Sequence, residues 1–106
     1  VKLITKEIMG KLKSNPEKHP DNKPWLKLFN PTGSGTWLIS EIKDDIMYGL
    51  CDLGHGSPEL GYVSLKELES LKLPFGLGIE RDISFEPDRT LGEYADEARK
   101  VRYITS

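Results

Sequence analysis

Residues 59–87 read ELGYVSLKELESLKLPFGLGIERDISFEP, and nearly every local signal in them points to one arrangement: strand, capped helix, tight turn, strand. Residues 60–63 have the short apolar run of a strand. Ser64 and Glu67 stand at the spacing of a capping box, in which the hydroxyl accepts from the Glu67 N–H and the carboxylate reaches back to the Ser64 N–H. Val63 and Leu68 sit where a hydrophobic staple closes. Leu65, Leu68 and Leu71 recur at helical spacing, with Lys66, Glu67, Glu69 and Ser70 outward, and Pro74 ends the helix. A helix of about two turns is unstable alone, so its leucines are expected to pack against a sheet. Pro74, Gly76 and Gly78 turn the chain, with Phe75 and Leu77 expected as plugs between them. Residues 79–85 then alternate. The pattern predicts a half-buried strand with Ile79, Ile83 and Phe85 inward and Glu80, Asp82 and Ser84 outward. Arg81 shares the inward parity, which predicts a packed stem and a guanidinium in water at the sheet rim.

Downstream, Thr90 and Glu93 repeat the capping-box spacing, and Leu91, Tyr94, Ala95, Ala98 and Val101 mark one face of a final helix, with 103–106 as a tail. Upstream, residues 25–29, 36–42 and 46–53 read as three strands separated by compact turns, an antiparallel meander. Thr5 caps a first helix running through about residue 12, with Ile8, Met9 and Leu12 inward and Ile4 as a staple. Gly10 weakens that helix by roughly 1 kcal/mol relative to alanine. Residues 14–24, with three prolines among polar residues, are expected to be an insertion-tolerant loop. The fold class is α+β: an antiparallel sheet of about four or five strands, two short helices packed on one face, and a C-terminal helix that lies over an edge or projects toward a partner.

At 106 residues the length suits one domain. The net charge of −2 provides no global field to recruit nucleic acid. Residues 1–30 nevertheless carry seven lysines against three acids, a net of +4, while the remainder carries eight basic and fourteen acidic groups, a net of −6. The lone Cys51 excludes an internal disulfide and, in an apolar run, reads as a buried inert thiol suited to a reducing cytoplasm. No signal peptide and no run long enough to span a bilayer is present, so a cytoplasmic location is expected.

The succession Leu60-Gly61-Tyr62-Val63-Ser64-Leu65, Glu67-Leu68-Glu69-Ser70, Pro74-Phe75-Gly76-Leu77, Ile79-Glu80-Arg81-Asp82 and Phe85 resembles a bacterial family known as domain of unknown function 2958. The opening Lys2-Leu3-Ile4-Thr5-Lys6-Glu7, and Phe29 with Trp37 and Tyr48-Gly49-Leu50, are similar to that family's start and central hairpin. The resemblance runs to residue 87, so residues 1–87 are read as a single α+β domain and 88–106 as a helical extension. The loop 14–24 also departs from the family's pattern. Such domains occur largely on plasmids, integrative elements and phages. The resemblance therefore implies an accessory role in mobile-element biology, and it brings no catalytic residues.

Gly33-Ser34-Gly35 is no phosphate cradle, because a strand follows it and no lysine stands at the required offset; it reads as a hairpin turn. No nucleophile–histidine arrangement is placed by motif, so no enzyme and no cofactor are expected. The first functional expectation is a non-enzymatic interaction protein of a phage or mobile element, counter-defence being one form of that role, which binds a host or defence protein. Its contacts are expected from Glu80, Asp82 and Glu86 on the last strand and from Glu93, Tyr94 and Glu97 on the final helix. The alternative is a nucleic-acid accessory protein that uses Lys23 and Lys27 for phosphates and Trp25 and Phe29 for stacking. A third is a small metal-dependent hydrolase at Asp52, His55 and the strand carboxylates, with Glu59 nearby.

Overall fold

The computed structural model describes residues 3–17, 19 and 21–106. Val1 and Lys2 of the opening, and Lys18 and Pro20 of the 14–24 loop, lie outside the described residues. The 59–87 stretch folds as β4 (Glu59–Ser64), α2 (Leu65–Ser70), a 3-10 turn (Pro74–Gly76) and β5 (Glu80–Arg81). Before it come α1 (Lys6–Ser14), β1 (Leu26–Phe29), β2 (Thr36–Lys43) and β3 (Ile46–Asp52), and after it α3 (Leu91–Val101). The strands form one antiparallel sheet in the order β4-β3-β2-β1-β5. The expected α+β architecture is the one observed.

The sheet is covered on both faces. On the first, α1 and α2 contribute Leu12 and Leu68 to a core with Leu26, Leu28, Trp37, Ile39, Met47 and Ile79. On the second, Leu91, Tyr94, Ala95 and Ala98 of α3 pack against Leu38 and Leu50. The final helix thus covers a face instead of lying over an edge. Its small Ala95 and Ala98 let it sit close to the strands. This double cover explains why β2 is buried from Trp37 through Ile42, where a strand with one wet face would alternate.

Helix starts follow the sequence signals. Thr5 Oγ1 accepts from the Ile8 N–H at 3.1 Å, and Thr90 with Glu93 forms a reciprocal capping box. At α2 the Ser64 hydroxyl accepts from the Glu67 N–H at 3.2 Å as expected. Here Asp45, in the β2–β3 turn, supplies a further cap. Its carboxylate accepts from the Lys66 N–H at 2.9 Å and from the Ser64 hydroxyl, and its carbonyl accepts from the Leu65 N–H at 2.9 Å.

The last strand is shorter than the alternation suggested. Asp82 Oδ1 accepts from the Ser84 N–H at 3.0 Å and the Asp82 carbonyl accepts from the Phe85 N–H at 3.3 Å, so the chain turns out of the sheet immediately after β5. Ile83 sits at that turn, 83% exposed, and does not share the interior of Leu68; Ile79 fills that place. Phe85 continues to the second core. Phe75 and Leu77 are not plugs either. Backbone bonds from Leu73 N–H to Leu77 O and from Leu77 N–H to Pro74 O close the turn on itself. Leu73 packs inward, whereas Phe75 is 93% exposed with a left-handed φ of 65°.

Arg81 does not end in water alone. Its Nη1 donates to the Leu3 carbonyl at 2.8 Å, while Glu69 Oε2 accepts from the Leu3 N–H at 3.4 Å. The 14–24 loop is tied to both sides of the molecule. Asn15 Nδ2 donates to the Ser40 carbonyl at 2.6 Å, and the buried Asn22 accepts through its carbonyl from the Leu91 N–H at 2.8 Å. The tail is also held: Asp52 Oδ2 accepts from the Ile104 N–H at 3.1 Å, and Ile104 packs on the second core.

Candidate functional site

β2 carries an irregularity that decides where its polar residues point. Ile39 pairs with Gly49, but Glu41 pairs with Tyr48, leaving Ser40 as the extra residue of a β-bulge. Gly49 permits the close backbone approach this needs, since a Cβ there would lie 2.0 Å from the Leu38 carbonyl oxygen. The Ser40 hydroxyl donates to the Tyr48 carbonyl at 3.4 Å. The bulge shifts parity, so Ile42 joins the first core. Glu41 turns instead to the second face beside Tyr48, whose partner on β4 is Tyr62.

Glu41, Tyr48 and Tyr62 therefore form one cross-strand row. The two rings lie 5.1 Å apart, centroid to centroid, inclined at 57°. The neighbouring row, Leu38, Leu50 and Leu60, lies in the core beneath α3. The tyrosine row borders a pocket of about 390 Å³ instead. Lys13, Asn15 and Glu17 close it from the end of α1, and Lys43, Asp44 and Ile46 from the hairpin. Glu41 is 8% exposed and Tyr62 53% exposed, so the pocket has a carboxylate at depth and a ring at its mouth. A carboxylate with aromatic faces accommodates a cation through ion pairing and cation–π attraction, worth about 0.5–2 kcal/mol for the ring contribution. None of these three residues was singled out by sequence reasoning. A glutamate at 41 among the apolar residues of β2, with a glycine inside the neighbouring strand, is the signal that would have found them.

The acidic residues expected to face a partner are not brought together. Glu80 lies on β5 and is exposed, as is Glu86 beyond it. Asp82 pairs with Lys27 at 3.6 Å. The Glu93 carboxylate accepts from the Thr90 N–H at 2.9 Å, and that bond foremost holds its pKa below the ordinary value. Tyr94 is buried, so it presents no ring to a partner. Its hydroxyl donates to Asp88 Oδ1 at 2.8 Å and accepts from the Asp88 N–H at 3.2 Å, with burial as the main cause of its raised pKa. Glu97 is half-buried on α3.

The residues expected to contact nucleic acid are engaged elsewhere. Lys11 and Lys23 lie 4.5 and 5.8 Å from the Trp25 ring centroid. A base stacking there would have to displace them. Lys27 is committed to Asp82 and lies 5.9 Å from the Phe85 ring, and Phe29 is half-buried in β1. The hydrolase expectation required Asp52, His55 and the strand carboxylates to converge. Asp52 instead gives one oxygen to the Gly54 N–H at 2.9 Å and the other to Ile104, while His55 is exposed. Among the described residues no three His, Cys, Asp or Glu side chains come together as a metal-ligand set. Cys51 packs against the first core, and burial raises its thiol to about 11.

The model of a protein family matches residues 3–105, from the lead-in through α3 and into the tail. The chain belongs to the family described as protein of unknown function, DUF2958. No curated protein and no solved structure matches this DUF2958 chain. Among its described residues, no helix is long and apolar enough to cross a membrane.

Proposed function

We propose that this DUF2958 chain is a non-enzymatic accessory protein that acts by binding another protein, and that the surface around the Glu41–Tyr48–Tyr62 row contacts a basic segment of that partner. The observation that supports this reading is the bulge at Ser40, which brings a carboxylate into one cross-strand row with two tyrosines, next to the row beneath α3. Bulges recur where a strand must re-aim a side chain at a site. Tyrosine is enriched at protein interfaces because it combines large contact area with a polar tip. The acidic balance of residues 31–106 suits a basic partner surface through complementary charge. A host or defence protein met in the cytoplasm by a plasmid or phage product is the partner class that this reading adopts.

The test is titration with a short alanine-based peptide carrying one arginine or lysine, followed by amide chemical shifts, which detect binding as weak as about 1 mM, or roughly −4 kcal/mol. Shifts are expected at residues 41–48 and 62, and weakening of about tenfold in Glu41→Gln and Tyr62→Ala, for a loss of about 1.4 kcal/mol. Shifts that map elsewhere, or an unchanged affinity in both variants, would refute the assignment.

A further inference from the structure

The first face carries a second surface, which shares Lys13 with the tyrosine pocket and otherwise has its own lining. α1 and α2 lie on the same side of the sheet without closing on each other, and between them runs an open groove of about 820 Å³. Ile4, Met9 and Leu65 supply its apolar lining. The Arg81 and Glu69 hydrogen bonds to Leu3 fix the segment that leads into it, so the groove is pre-formed.

Gly10 is the residue that needs explaining. It stands inside α1, where glycine costs about 1 kcal/mol relative to alanine. Among the described residues nothing lies within 4 Å of the Cβ it lacks, and none of them requires its smallness. It lines the groove, which places bare helical backbone where an incoming chain would lie.

The rim is basic. Lys6 and Lys13 stand seven residues apart on α1, about 10 Å along the helix axis, and Arg81 lies across from them. Neither lysine has a carboxylate partner among the described residues. Among the described residues that line the groove the one acid, Glu69, accepts from the Leu3 N–H.

We infer that this groove binds an acidic amphipathic helix of a partner protein. The helix would lie beside α1 with its apolar face on Met9 and Leu65. Its backbone would approach at Gly10, and acidic side chains two turns apart would meet Lys6 and Lys13. A helix satisfies its own backbone groups, so it can be laid on an apolar lining that offers few hydrogen bonds. The acid spacing follows from the lysine spacing.

The test is selection of a displayed library of helical peptides on the intact wild-type protein, counter-selected on Gly10→Trp, which fills the groove from an exposed position. Enriched peptides are expected to carry net negative charge and apolar residues at i, i+4 and i+7. The best of them should bind Gly10→Trp and Lys6→Glu at least about tenfold more weakly than wild type, a loss of about 1.4 kcal/mol, while Tyr62→Ala binds it equally well. Absence of enrichment over Gly10→Trp, enrichment of basic peptides, or equal binding by Lys6→Glu would overturn the inference. Loss in Tyr62→Ala alone would assign the binding to the tyrosine pocket and overturn it too.

Discussion

Arg81 on β5 donates a hydrogen bond at 2.8 Å to the carbonyl of Leu3, a residue 78 positions earlier in the chain. The bond joins an edge strand to the segment that leads into α1, and Glu69 completes it by accepting from the N–H of the same residue. Arg81→Ala is expected to lower stability by about 1.5–3 kcal/mol, the range for a hydrogen bond to a charged group. Arg81→Lys should recover only part of that, because an ammonium lacks the planar fork. Urea denaturation measures both, and an unchanged midpoint in Arg81→Ala would count against the clasp.

Asp52 has the corresponding role at the other terminus, accepting from the Gly54 and Ile104 N–H groups. Asp52→Ala should cost about 1–3 kcal/mol, since two donors lose their acceptor. Hydrogen exchange at Ile104 should accelerate in the variant. If Ile104 exchanges equally fast in wild type and variant, the tail is held by its apolar packing alone.

Acid should loosen the helix starts. Asp45, chiefly through its bond from Ser64, and Glu93, chiefly through its bond from the Thr90 N–H, both have lowered pKa values. Their stabilisation is complete at neutral pH. Below the ordinary carboxylate values of about 3.9–4.3, the unfolded chain takes up protons while the folded chain still resists them. Stability therefore falls, and the contribution is gone once pH passes the lowered folded values. Asp45→Asn and Glu93→Gln should each flatten the acid limb of stability against pH; a slope identical to wild type would contradict the linkage.

Cys51, raised to about 11 by burial, should alkylate slowly in the native protein. An unperturbed thiol at about 8.5 carries roughly a hundredfold or more thiolate at pH 8 by comparison. Iodoacetamide labelling followed by mass should therefore be slow in buffer and fast in urea, and equal rates would show the thiol to be exposed.

Two glycine-to-alanine changes should have opposite signs. Gly10→Ala, with open space at its Cβ, should stabilise α1 by about 1 kcal/mol. Gly49→Ala puts a methyl 2.0 Å from the Leu38 carbonyl oxygen, where only backbone can yield. A loss of roughly 3 kcal/mol or more, or failure to fold, is expected. Thermal melts of the pair decide it, and a melting temperature for Gly49→Ala equal to wild type would mean the bulge can relax.

Much of the fold could be read from local chemistry. Ser64 and Thr90 announced their helices because a cap is a short-range bond between neighbours, and the meander followed from compact turns between apolar runs. The misreadings came where an apolar residue was taken as a buried one. Ile83 and Phe75 are exposed because hydrogen bonds local to their turns fix the chain path, and hydrophobicity alone does not reveal that path. The Glu41–Tyr48–Tyr62 row was hidden for a different reason. A bulge leaves composition unchanged while reversing parity, so strict alternation assigns Glu41 to the wrong face. Tyr94 was misjudged because aromatic residues serve both cores and interfaces, and only its bond to Asp88 separates the two.

The Leu3–Arg81 clasp also has a consequence for birth on the ribosome. Leu3 is synthesised 78 residues ahead of Arg81, so its carbonyl waits for that donor until the edge strand has been made. At about 5–20 residues per second that delay is roughly 4–16 s. During it the Leu3 carbonyl lacks that donor, while β2, β3 and β4 can already zip together as sequential neighbours. The clasp thus belongs to the late part of assembly, with α3 and the tail still to follow it in synthesis.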